Sequence, residues 1–108
     1  MSKIETLKLN YEFKNVFDKG KYFIGNQIII YYYKNKFDYN RIGIAVSSKL
    51  CNAVNRNHLK RLIREAYRSS ELIKLSGYDI VFTWNKKCDF KNANYNELIN
   101  EMNNLKIK

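Results

Sequence analysis

A chain of 108 residues with 45% hydrophobic and 28% charged side chains fits one folded domain over 1–108. It can bury a core without metal or disulfide staples, is too short for two cores, and is too apolar to stay disordered. Twenty Lys and Arg against ten Asp and Glu leave a net charge of +10, which favours polyanionic partners, nucleic acid first and an anionic membrane surface second. The longest apolar run, Ile28 to Tyr33, is far too short to cross a bilayer, and MSKIETLKLN has no apolar secretion core, so a cytoplasmic protein is expected. Cys51 and Cys88 have no partner at metal-ligand spacing and read as reduced structural thiols.

Asn10 is predicted to cap a first helix, with Glu12 near its positive end and Gly20 as a left-handed C-terminal cap. Phe13, Val16 and Phe17 fall on one stripe of it. Phe23 to Lys34 follows as strand, with Ile28, Ile30 and Tyr32 on one face and Ile29, Tyr31 and Tyr33 on the other. Both faces are apolar, so the strand is either covered twice or presents one aromatic face to a ligand; a break could split the run in two. Asn35 to Asn40 is turn-like and Arg41 to Ser47 strand-like, which predicts an antiparallel hairpin between these two runs. Asn52 caps a helix ending near Arg68 to Ser70, Tyr78 to Trp84 is a further strand, and Asn94 with Glu97 opens a last helix carrying Leu98, Ile99, Met102 and Leu105. Helix, strands, helix, strand, helix predicts an α+β sandwich.

The charge is concentrated in one place. Arg41 to Arg68 holds Arg41, Lys49, Arg56, Lys60, Arg61, Arg64 and Arg68 against Glu65 alone. At about 100° per residue, Leu59, Leu62, Ile63 and Ala66 span roughly 240° to 340°, while Arg56, Lys60, Arg61, Arg64 and Arg68 span roughly 0° to 140°. Like charges at i, i+4 each disfavour an isolated helix by about 0.2–0.5 kcal/mol. A stripe kept at that cost points to phosphate binding, with guanidinium forks matching phosphate oxygens and Asn57 adding an amide. A helix that follows a strand, rather than a second helix and tight turn, favours RNA over DNA.

The run RIGIAVSSKLCNAVNRNHLKRLIREAYR resembles the signature region of the bacterial ribonuclease P protein component, through Arg41, Gly43, Val46, Ser47, Lys49, Asn52, Ala53, Val54, Arg56, Asn57, Lys60, Arg61, Arg64 and Glu65. YEFKNVFDKG is similar to that family's first helix. The resemblance implies a mixed sheet with a left-handed βαβ crossover and a small basic subunit that binds a catalytic RNA. That RNA removes the 5′ leader of precursor tRNA with Mg²⁺ in the holoenzyme. The family's RNA-facing motif falls on Arg56, Asn57, Lys60, Arg61 and Arg64, and its leader cleft on Phe13, Phe17 and Tyr31. No protein-bound cofactor and no stable protein partner are implied. His58 stands where the family most often has a cation, lies near 200° on the wheel, and has no carboxylate, nucleophile or second His beside it. The N-terminus lacks the basic cluster of many relatives.

Three rivals remain. A general RNA-binding protein without a nuclease partner would use the same helix. A free-standing nuclease needs acid clusters, and Asp79 and Asp89 are isolated in sequence. A peripheral membrane binder would need the apolar arc that the core requires.

Overall fold

The structure, a computed structural model, describes residues 5–105. Residues 1–4, part of the N-terminal segment read above as lacking a basic cluster, and residues 106–108 lie outside it. The elements are β1 (Glu5–Thr6), α1 (Asn10–Lys19), β2 (Lys21–Ile24), β3 (Ile28–Lys34), β4 (Arg41–Ala45), α2 (Ala53–Ser69), β5 (Tyr78–Trp84) and α3 (Tyr95–Asn104). One-turn 3₁₀ segments lie at Glu71–Lys74 and Phe90–Asn92. The strands form one mixed sheet in the order β1-β4-β5-β3-β2. The α+β sandwich is as expected, with β1 an addition too short for sequence periodicity to reveal.

The expected hairpin of β3 with β4 does not form. β5 lies between them, antiparallel to β3 and parallel to β4. Asp79, Ile80, Val81 and Phe82 of β5 are all buried, and a strand buried on both faces belongs in the sheet interior, where both its edges are also paired. β3 instead makes its hairpin with β2, so the run from Phe23 does split. The break is anchored from outside: Gln27 N–H donates to the Glu101 carboxylate on α3 at 3.1 and 3.2 Å, and Gln27 Oε1 accepts from Asn94 N–H at 2.7 Å.

The parallel pair β4 and β5 is joined through α2. Ile42 turns its side chain into the core beneath α2, and its carbonyl accepts from Leu7 N–H at 2.8 Å, beside β1. In a strand of L residues running upward, a side chain facing the viewer sets that residue's own N–H and C=O to the right. β1 therefore lies right of β4 and β5 to its left, so the crossover through α2 is left-handed, against the usual preference.

Two cap predictions change. The N-cap of α1 is Leu9, not Asn10, and the Glu12 carboxylate accepts from Lys8 N–H at 2.8 Å and Leu9 N–H at 2.9 Å. Gly20 is extended, with φ −81°, rather than left-handed. Its lack of a side chain serves a close approach, because a β-carbon there would lie 2.5 Å from the carbonyl oxygens of Tyr32 and Val16. The left-handed glycine among the described residues is Gly77, with φ +84°, just before β5. Asn52 and Asn94 cap as predicted, accepting from Asn55 N–H at 2.9 Å and Glu97 N–H at 3.0 Å.

The sheet has unequal faces. Ile28, Ile30, Ile42, Ile80 and Phe82 pack with Leu59, Ile63 and Ala66 of α2 and Leu98 and Met102 of α3 into the main core. The opposite face holds a smaller cluster of Leu7, Val16 and Val81, with Phe13, Tyr31, Tyr33 and Ala45 partly buried around it.

Candidate nucleic-acid interface

The geometry of α2 follows its sequence pattern. Leu59, Ile63, Ala66 and Tyr67 are buried, and Asn57, Arg61, Arg64 and Arg68 are exposed, with Arg56 and Lys60 half-buried. Among the described residues no carboxylate lies within ion-pair distance of Lys49, Arg56, Lys60, Arg61 or Arg64. Arg68 meets Glu65 at 3.5 Å, an exposed pair of little energetic weight. Arg56 Nη1 donates to the Cys51 carbonyl at 3.2 Å, which steadies the start of the helix. The stripe is therefore a set of cations that the fold leaves largely without counter-charge. Lys49 is positioned by the preceding turn, where its N–H donates to Ser47 Oγ at 3.1 Å.

On the less covered face of the sheet lies a groove of about 950 Å³. Its floor is Ala45 of β4, Thr83 of β5, and Ile29 and Tyr31 of β3, with Phe17 of α1 at one side and the buried Trp84 of the main core reaching its end. Phe17 and Tyr31 meet edge to face with ring centroids 4.8 Å apart, and Phe17 is 38% exposed. Lys49, Lys60, Lys86 and Lys87 also line the groove. Phe13 does not line this groove. Its ring covers Gly43, where any β-carbon would overlap it, and with Gly43, Lys60 and Arg64 it lines a separate pocket of about 220 Å³. Lys60 borders both cavities, so the cation stripe and the aromatic groove form one continuous surface.

Arg41 is set apart from the other cations. Its Nη2 and Nε bind the two oxygens of Asp79 at 2.7 and 2.9 Å, its Nη1 binds Glu12 at 2.8 Å, and its guanidinium lies over the Phe37 ring, 4.8 Å from the centroid. Two carboxylates neutralise it, and it ties α1 to β4 and β5. The backbone N–H groups of Leu9 and Lys8, with Arg41 beyond them, hold the Glu12 carboxyl below its ordinary range.

Lys86 and Lys87, which line the groove, escaped the sequence reading as site residues. The Lys-Lys pair was legible as charge, but only the parallel pairing of β4 and β5 brings the end of β5 beside Lys49. His58 is exposed on α2.

This arrangement can be set beside known proteins. The family model for ribonuclease P matches residues 1–108. The chain belongs to the ribonuclease P protein family. It is 44% identical over 102 residues to the ribonuclease P protein component of Petrotoga mobilis, covering 93% of this chain and 86% of that one. It is 43% identical over 101 residues to that of Clostridioides difficile, covering 92% and 86%. Among solved structures, the RNase P protein of Thermotoga maritima superposes with a TM-score of 0.79 at 31% identity, covering 94% of this chain and 98% of that one. That of Staphylococcus aureus gives 0.76 at 32%, covering 92% and 89%.

Proposed function

We propose that this chain is the protein subunit of a ribonucleoprotein endoribonuclease that matures the 5′ end of tRNA. In this reading Lys49, Arg56, Asn57, Lys60, Arg61, Arg64 and Arg68 bind the catalytic RNA, and Phe17 and Tyr31 hold the single-stranded 5′ leader of precursor tRNA. Phe13 braces α1 over Gly43 beside them, and Arg41 supports the site by fixing α1 to the sheet. The observation that carries the proposal is the junction at Lys60, where largely uncompensated cations run directly into an aromatic groove. Cations supply sequence-independent affinity for the phosphate backbone, and aromatic faces stack any base, at about 1–3 kcal/mol each, without requiring its identity.

Among the described residues no three His, Cys, Asp or Glu side chains gather into a metal-binding group, so no step is assigned to an ion held by the protein. The Mg²⁺ of the holoenzyme and the hydrolysis belong, in this reading, to the RNA. The protein acts by binding: it raises substrate affinity and adds positive field next to a polyanion that must hold its metal ions. Cytoplasmic placement goes with that role.

Reconstitution with a matching catalytic RNA at low Mg²⁺ tests the proposal. Faster cleavage and tighter binding of precursor than of mature tRNA are expected. RNA affinity with no effect on cleavage would favour the general RNA-binding reading, and cleavage by the protein without RNA would favour the nuclease.

A further inference from the structure

The aromatic floor does not stop at the groove. Tyr22 of β2 pairs with Tyr31 across the hairpin, so the two side chains leave the sheet on the same face, and their ring centroids are 6.0 Å apart. Phe17, Tyr31 and Tyr22 thus form a row of rings running to the sheet edge. Tyr22 is 63% exposed, and among the described residues its hydroxyl has no hydrogen-bond partner in the molecule. Two residue pairs on, Ile24, 62% exposed, lies opposite Ile29 of the groove floor. The exposed Lys19 and Lys21 flank this edge. Neither the packing of the core nor a hydrogen bond accounts for two large apolar side chains at the outermost strand.

We propose that Tyr22, seconded by Ile24, is an additional stacking position that extends the single-stranded RNA site beyond Tyr31 to the edge of the sheet. The inference rests on the leader-binding reading of the groove and deepens it. Its occupant follows from continuity with the groove and from the cations around it. Lys60 of α2 borders the groove, and from there the sheet crosses β4, β5, β3 and β2, about 14 Å at ordinary strand spacing. In the proposed function α2 binds the catalytic RNA that cuts the substrate, which puts the bond to be cut on the α2 side. The strand reaching Tyr22 is therefore the part of the leader farthest from that bond, toward its 5′ end.

The test uses the reconstituted holoenzyme and precursor tRNAs whose leaders are shortened stepwise from the 5′ end. Tyr22→Ala is expected to weaken binding of the long-leader substrate by about fivefold or more and to leave the shortest-leader substrate unchanged, with Tyr22→Phe close to the parent at every length. Equal loss at all lengths would show a structural effect and overturn the inference, as would no loss at any length while the parent protein still discriminates leader length. A parent protein blind to leader length removes the groove reading itself, and the inference with it. If Tyr22→Ala instead abolishes self-association of the free protein, with leader dependence intact, β2 is an interface between copies and the stacking assignment is wrong.

Discussion

The two faces of the sheet share the same strands and differ in what lies over them. Along β3, Ile28 and Ile30 are fully buried beneath α2 and α3, whereas Ile29, Tyr31 and Tyr33 on the other side are only partly covered. α1 is too short to close that second face, and the area it leaves open is aromatic and rimmed with lysine. α2 repeats the contrast in one helix, with apolar side chains inward and largely unneutralised cations outward. The difference separates what closes the fold from what stays available to a partner: one face is complete within the molecule, and the other, where the proposed RNA contacts lie, is left open.

The largest expected effect tests the closed face. Phe82→Ala removes a fully buried ring beside Tyr67 and should cost about 3–5 kcal/mol of stability. The salt dependence of RNA binding by the remaining folded protein should stay as it was, measured by denaturant titration and filter binding. A marginal loss of stability would mean that this face is not the main core.

Arg41 and Arg64 separate charge that holds the fold from charge proposed to bind RNA. Arg41→Ala leaves the buried Asp79 without a counter-charge, with Asn35 Nδ2 still donating to it, and is expected to destabilise by about 3 kcal/mol with little change in the salt slope. Lys60→Ala and Arg64→Ala should each lower the slope by about one unit with melting temperatures near the parent. If Arg41→Ala changed the slope as much as Arg64→Ala, the distinction would fail.

On the open face, Phe17→Ala should weaken binding of leader-bearing precursor relative to mature tRNA by about 1–3 kcal/mol. Equal loss for both substrates would count against stacking in the groove.

The smallest effect concerns the tether of α1 to the sheet. Because the Glu12 carboxyl is held below its ordinary value of 4.5, its contribution to stability is complete above that value and is lost as pH falls through the lower folded one. Glu12→Gln should cost about 1 kcal/mol at neutral pH, and the gap between variant and parent should close in acid. Thermal melts across that range check it, and a gap constant with pH would remove the carboxylate as the tether.

Much of this was readable from local pattern. Asn52 and Asn94 announced their helices because a capping amide acts over three residues. The apolar and cationic arcs of α2 were legible because helical geometry fixes them. The alternation of β3 likewise gave its two faces, and the family signature pointed to the ribonuclease P protein family. The β3–β4 hairpin failed because chain neighbours were assumed to pair, and nothing local to either strand revealed that β5 would enter between them. Arg41 looked like its neighbours in the basic run because its two carboxylates are 29 and 38 residues away.

The sequence by itself determined which side chains share a helix or strand face, since those periods belong to the backbone. Only the tertiary structure decided which faces meet. It set Lys60 against the groove, brought the end of β5 to its rim, neutralised Arg41, and left Tyr22 open at the edge, because each depends on contacts between residues far apart in the chain and on how much area three helices can cover.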